Sequence, residues 1–191
     1  MFLLLLGSSC DVNQSDLDEI AQELEEVAKD AGEEVIEKVG EEAKNKAMGV
    51  LIDGYIRLHS SDSQLIDYGE RFVYWGRDQN VDPRLMVAIA RQESRFATDP
   101  KACGGRANEL YNAWGLLGGG GCLDLVSWEI GIESVAKNIV KHYFNHDLRT
   151  VEQISGKYCQ SGCGDWSGNV STFMEDLGGN PDDLTFHVFG E

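Results

Sequence analysis

One carboxylate in this chain sits where a charge is expensive. In Val81 to Phe96, VDPRLMVAIARQESRF, apolar residues recur at helical spacing. Projected at about 100° per residue, Leu85, Met86, Ile89 and Glu93 fall on one side, and Arg91 and Arg95 lie about 160° away from Glu93. Surrounding a carboxyl group with apolar side chains disfavours its charged form and raises its pKa. An acid still protonated near neutral pH is what a glycosidic oxygen needs as its bond to carbon breaks. A Glu in this place can also pair with an arginine or reach solvent past the helix end. The helix alone leaves function and structure equally open.

The other reactive side chains form weaker patterns. Five cysteines, Cys10, Cys103, Cys122, Cys159 and Cys163, divide into one near the N-terminus and four in the body of the chain. Cys103 and Cys122 bracket one Gly-rich stretch, and Cys159 and Cys163 lie in another. Disulfides in an oxidising compartment fit this layout best, ahead of four reduced thiols. A zinc site ranks last because there is no C-x-x-C pair. His142 and His146 are four apart, a metal-ligand spacing, but without the H-E-x-x-H pattern they read as surface residues. No metal and no cofactor is expected, and no Ser-His-Asp or Cys-His set is visible.

These groups need elements to hold them. Asp82-Pro83 starts the Glu93 helix, because proline at the first position gives up an N–H that has no helical partner. Ser61 to Asn80 reads as a preceding helix. Residues 97–126, with Gly118 to Gly121, read as a long ordered loop. Helical periodicity returns over Ser127 to His146, then in shorter pieces near Val151–Tyr158 and Trp166–Leu177. No segment reads as a strand. From Ser15 to about Ala47, Leu17, Ala21, Leu24, Ala28, Ala31 and Val35 mark one face of an acidic amphipathic helix. It reads either as a spacer or self-association helix, or as the first helix of the domain.

The N-terminus, MFLLLLGSSC, resembles the end of a lipoprotein signal peptide, with Cys10 in the lipidated position. The apolar run is shorter than usual and no Lys or Arg precedes it. The expected organisation is a signal-like segment over 1–10, an acidic helical spacer over 11–47 and a compact domain over 48–191. The 191 residues carry a net charge of −17, of which −9 falls between Asp11 and Ala47, where 13 residues are acidic and 4 basic. Such a surface repels phosphate backbones, which argues against nucleic acid and for a neutral or cationic polymer as partner.

The Glu93 segment is similar to the catalytic helix of the lysozyme superfamily, most of all in its soluble lytic transglycosylase and glucosaminidase branches. There an Asp-Pro start, an Ala-Ile-Ala body and a terminal Glu-Ser precede the substrate cleft. Tyr111-Asn112-Ala113-Trp114-Gly115-Leu116 resembles the cleft-lining segment, and Ser127-Trp128-Glu129-x-Gly131-Ile132 the opening of the next helix. Val151 to Tyr158 and Trp166 to Val170 resemble the closing segments, so the likeness spans roughly residues 62–178. The chain departs from the transglycosylase pattern at Gly115-Leu116-Leu117-Gly118, where that branch has Gly-Leu-Met-Gln.

The resemblance implies a mainly α, lysozyme-like domain outside the cytoplasm that cleaves peptidoglycan glycan strands, with Glu93 as acid and Ser94 in the family's small polar position. Tyr111 and Trp114 are suited to stacking on pyranose faces, Asn112 to hydrogen-bonding an N-acetyl group, and Gly115 to close approach of the ligand. Trp128 and Trp166 read as core. Many glycosidases use a second carboxylate. Glu129 and Asp124, then Glu109 and Asp165, are the choices, and no motif selects among them. The competing expectations are a non-catalytic wall-binding or assembly module on the same scaffold, and a membrane-tethered scaffold that works through its acidic helix.

Overall fold

A computed structural model describes residues 33–158 and 164–187. Cys10, Cys159, Cys163 and the acidic segment before residue 33 lie outside the described residues. What is described is mainly helical, with six α-helices. They are α1 (Glu33–His59), α2 (Gly69–Gln79), α3 (Pro83–Ser94), α4 (Trp128–His142), α5 (Val151–Tyr158) and α6 (Trp166–Asp176). None of the described helices is long and apolar enough to cross a membrane.

Helix α3 is the axis of the fold. Asp82 caps it by accepting the Arg84 N–H at 2.8 Å and pairs with the Arg84 guanidinium at 2.8 Å, both side chains being buried. Arg84 Nη1 also donates to the Gly178 carbonyl beyond α6, at 2.8 Å. Every residue from Pro83 to Ala90 is buried. A helix buried all round must be covered by other elements, and α2, α4 and α6 supply the cover.

Helix α1 runs unbroken through the boundary expected at residue 48. Met48, Ile52, Tyr55 and Ile56, spaced for one helical face, are all buried in the core. A Cβ built on Gly69 would lie 2.0 Å from the Gly49 carbonyl oxygen, so α1 and α2 meet with only glycine between their backbones. Asp53 on α1 accepts the Gly69 N–H at 2.8 Å, and Glu41 pairs with Arg77 at 3.1 Å. The end of the expected spacer therefore already packs on α2. Helix α2 starts at Gly69, later than the sequence reading, because Ser63 takes the Leu65 N–H, donates to the Phe96 carbonyl and holds 63–65 as a turn.

The turn after α3 carries three consecutive left-handed residues, Arg95, Phe96 and Ala97, with φ of 50°, 60° and 65°. For non-glycine residues this conformation costs about 1–2 kcal/mol each. Ser60 Oγ on the Arg95 carbonyl, Ser63 Oγ on the Phe96 carbonyl and the Ala97 N–H on Ser94 Oγ hold it in place. Beyond it, the stretch read as strandless contains a minimal antiparallel hairpin, Leu117–Gly118 against Gly121–Cys122. A disulfide joins Cys103 to Cys122 and closes the loop from one end to the other. Ser127 caps α4 by accepting the Ile130 N–H, and Asp165 caps α6 by accepting the Gly168 N–H.

Candidate functional site

Four elements converge on Glu93. Helix α3 delivers it in its last turn, partly buried. Helix α6 brings Trp166 to it, with the indole N–H donating to Glu93 Oε1 at 2.7 Å. The loop after Asn112 brings Gly115, where a Cβ would stand 3.7 Å from Oε2, and φ of 65° at Gly115 suits a residue without a side chain. Helix α5 ends at Tyr158, whose ring stacks on Trp166 at 4.8 Å and whose hydroxyl donates to the Trp114 carbonyl at 2.6 Å. Tyr143, just past α4, stacks on Tyr158 in turn at 6.1 Å.

Burial raises the Glu93 pKa above its ordinary value, and the Trp166 hydrogen bond, which favours the charged form, offsets part of that rise. Among the described residues no guanidinium neutralises it. Arg91 is held by Tyr55 and Asp176, and Arg95 pairs with Asp99. Burial pushes the Tyr143 phenol up to about 12, and Glu93 adds to the push. Tyr158 is raised further by burial, Glu93 and Tyr143, so both phenols keep their protons at neutral pH. Because the indole donates to Oε1, that oxygen acts as acceptor, and the acid proton belongs on Oε2, the oxygen facing Gly115.

Several expected binding residues have other work. Trp114 is fully buried, its N–H donates to the Met86 carbonyl at 2.9 Å and its ring packs against Phe72, so it is a core residue and not a sugar platform. Asn112 is also fully buried. Its Nδ2 donates to the Leu116 and Leu123 carbonyls and its Oδ1 accepts the Leu116 N–H, so both ends of the amide are committed to the loop. Ser94 is buried too; its Oγ lies 2.7 Å from the Ala113 carbonyl and accepts the Ala97 N–H, which ties the end of α3 to the Gly115 loop. These three residues build the site without facing a ligand. Tyr111 remains partly exposed, edge-on to the buried Trp128 at 5.5 Å.

The second carboxylates are all engaged elsewhere. Glu129 accepts the Trp75 indole N–H at 2.8 Å and pairs with Arg71 at 3.1 Å. Asp124 is exposed and accepts the Val126 N–H, Glu109 pairs with Arg106, and Asp165 is the α6 cap. Among the described residues no cluster of three His, Cys, Asp or Glu is arranged to hold a metal.

The sequence reading missed the Trp166–Tyr158–Tyr143 stack as part of the site. Trp166 is buried, as a core reading expects, but its N–H edge reaches Glu93. The available signal was three aromatic residues each at the end of a helix. Compared with known proteins, the chain matches no family model and no curated protein sequence.

Proposed function

We propose that this protein cleaves the glycan strands of peptidoglycan outside the cytoplasm, on a lysozyme-like helical domain, with Glu93 as the single general acid and base. The observation that carries the reading is the Glu93 carboxyl group, raised by burial, paired with no Lys or Arg among the described residues, and held by an indole donor on Oε1. The likeness of residues 81–96 to the lysozyme-superfamily helix supplies the substrate class. The Cys103–Cys122 disulfide supports an oxidising compartment. A lipid at Cys10 would then tether the domain.

A single-acid route is favoured over a two-carboxylate hydrolase because Glu129, Asp124, Glu109 and Asp165 are all occupied away from Glu93. Glu93 gives its Oε2 proton to the glycosidic oxygen as the bond from that oxygen to the anomeric carbon breaks, through an oxocarbenium-like state. The resulting carboxylate then removes a proton from the sugar's own C6 hydroxyl. That oxygen closes on the anomeric carbon to give a 1,6-anhydro ring, and no water is consumed. Trp166 N–H steadies Glu93 in its charged phase, since a donor favours the carboxylate.

Digestion of purified cell-wall sacculi, followed by mass spectrometry of the soluble fragments, tests this. Wild type should release anhydro-ended fragments, and Glu93→Gln should release about 10²–10⁴-fold less, the usual contribution of a positioned acid–base group. Reducing ends would overturn the single-acid route. Equal release by both proteins, or none by wild type, would overturn the enzyme reading.

A further inference from the structure

A groove opens on the face of α3 away from Glu93. It encloses about 410 Å³ between the end of α1, the left-handed turn and α6. Its walls include His59, Arg91, Arg95, Phe96, Asp99 and Phe173. In a chain of net charge −17, two guanidinium groups facing one cavity are unexpected.

Both arginines have donors to spare. The Arg91 guanidinium lies over the Phe173 ring, 3.9 Å from its centre, and its contacts with Tyr55 and Asp176 are both made through Nη1. Arg95 is largely exposed and approaches Asp99 through Nε at 3.6 Å. Nε and Nη2 of Arg91 and both Nη atoms of Arg95 thus donate no hydrogen bond among the described residues. The turn that presents Arg95 is the strained one pinned by Ser60, Ser63 and Ser94. Strain of this kind persists where the surroundings over-determine it, and it clusters at ligand clamps. Burial and the Arg91 charge lower the His59 pKa, so at neutral pH the imidazole adds no positive charge.

We propose that this groove binds a carboxylate-bearing peptide, its carboxylate forked between Arg91 and Arg95 and its carbon chain against Phe173. Guanidinium forks match planar carboxylates in two-point contact. Asp99 in the groove wall opposes a doubly charged phosphate more than a singly charged carboxylate, yet its oxygens accept amide N–H groups, which a peptide has and a simple anion lacks. If the chain acts on peptidoglycan, the ligand is the acidic stem peptide, bound on the side of α3 opposite the glycan. The identity of the source rests on that reading, while the binding itself does not.

The test is a titration of the intact protein with the tripeptide L-Ala-γ-D-Glu-L-Lys, followed by backbone amide shifts. Shifts should concentrate at residues 91–99 and 173. Arg95→Gln should weaken binding at least tenfold, and so should amidating the free α-carboxyl of the peptide's D-Glu. Arg91→Lys, which keeps the charge and loses the fork, should weaken it as well. Unchanged affinity in Arg95→Gln, shifts confined to Gly115 and Trp166, or equal competition by inorganic phosphate would each overturn the proposal. Glycan strands stripped of peptide separate the two readings. Arg95→Gln should cut them at the wild-type rate, and only failure of Glu93→Gln to slow that reaction counts against the glycan reading.

Discussion

At the scale of single residues, Glu93 owes its raised pKa to burial, and the Trp166 hydrogen bond pulls it down. Removing the indole N–H while keeping a ring isolates that effect. Trp166→Phe should raise the Glu93 pKa further, because the charged form loses its donor. The alkaline limb of the pH profile of kcat/KM should then move to higher pH, whereas a limb that stays put or moves down would remove Trp166 from the proton's control. The position of Glu93 was legible in the sequence because it depends on one helix and its period. The fate of Trp114 was not. An indole between Asn112 and Gly115 reads as a cleft residue locally, but Phe72 from α2 and the Met86 carbonyl from α3 enclose it. Contacts from distant segments decide burial, and residue type does not reveal them.

At the scale of elements, the starts of α3, α4 and α6 were readable, while α2 begins later than its periodicity suggests. Asp82, Ser127 and Asp165 each accept a backbone N–H two or three residues on, which is local chemistry that a sequence displays. The loop between α3 and α4 was less readable, because its order comes from Asn112 and from the Cys103–Cys122 link. That disulfide spans 19 residues. Removing it should cost about 3 kcal/mol by the chain-entropy account. Denaturant titration of a Cys103→Ser/Cys122→Ser variant against the oxidised wild type measures this. Since the same loop presents Gly115 to Glu93, the proposed wall cleavage should fall with stability. Unchanged stability would mean that Asn112 and the core hold the loop alone.

At the scale of the whole molecule, the question is where the domain begins. Composition marks a change near residue 47, where the acidic run ends, but the physical boundary is set by packing. Glu41 reaches Arg77, and Met48 and Ile52 lie in the core on the same unbroken helix. A chain starting at residue 48 would fray at its new end. Exposing Met48 alone forfeits about 2 kcal/mol, which at about 2–4 °C per kcal/mol lowers the thermal midpoint by about 4–8 °C. A midpoint equal to that of the chain starting at residue 33 would show that residues 33–47 only space the domain. Linkage adds a second signature. A group whose folded pKa is raised contributes stability that is full below its unfolded pKa and is lost as pH rises through the folded value. Glu93 therefore costs the fold most at neutral and alkaline pH.

The account turns on a carboxylic acid that keeps its proton longer than an exposed one would. The most direct measurement is the titration of the Glu93 side-chain carbonyl by carbon NMR, with Glu93→Gln identifying the resonance. The account predicts a midpoint above the ordinary value of 4.5. A midpoint at or below 4.5 would contradict it and leave Glu93 without the property that acid catalysis needs.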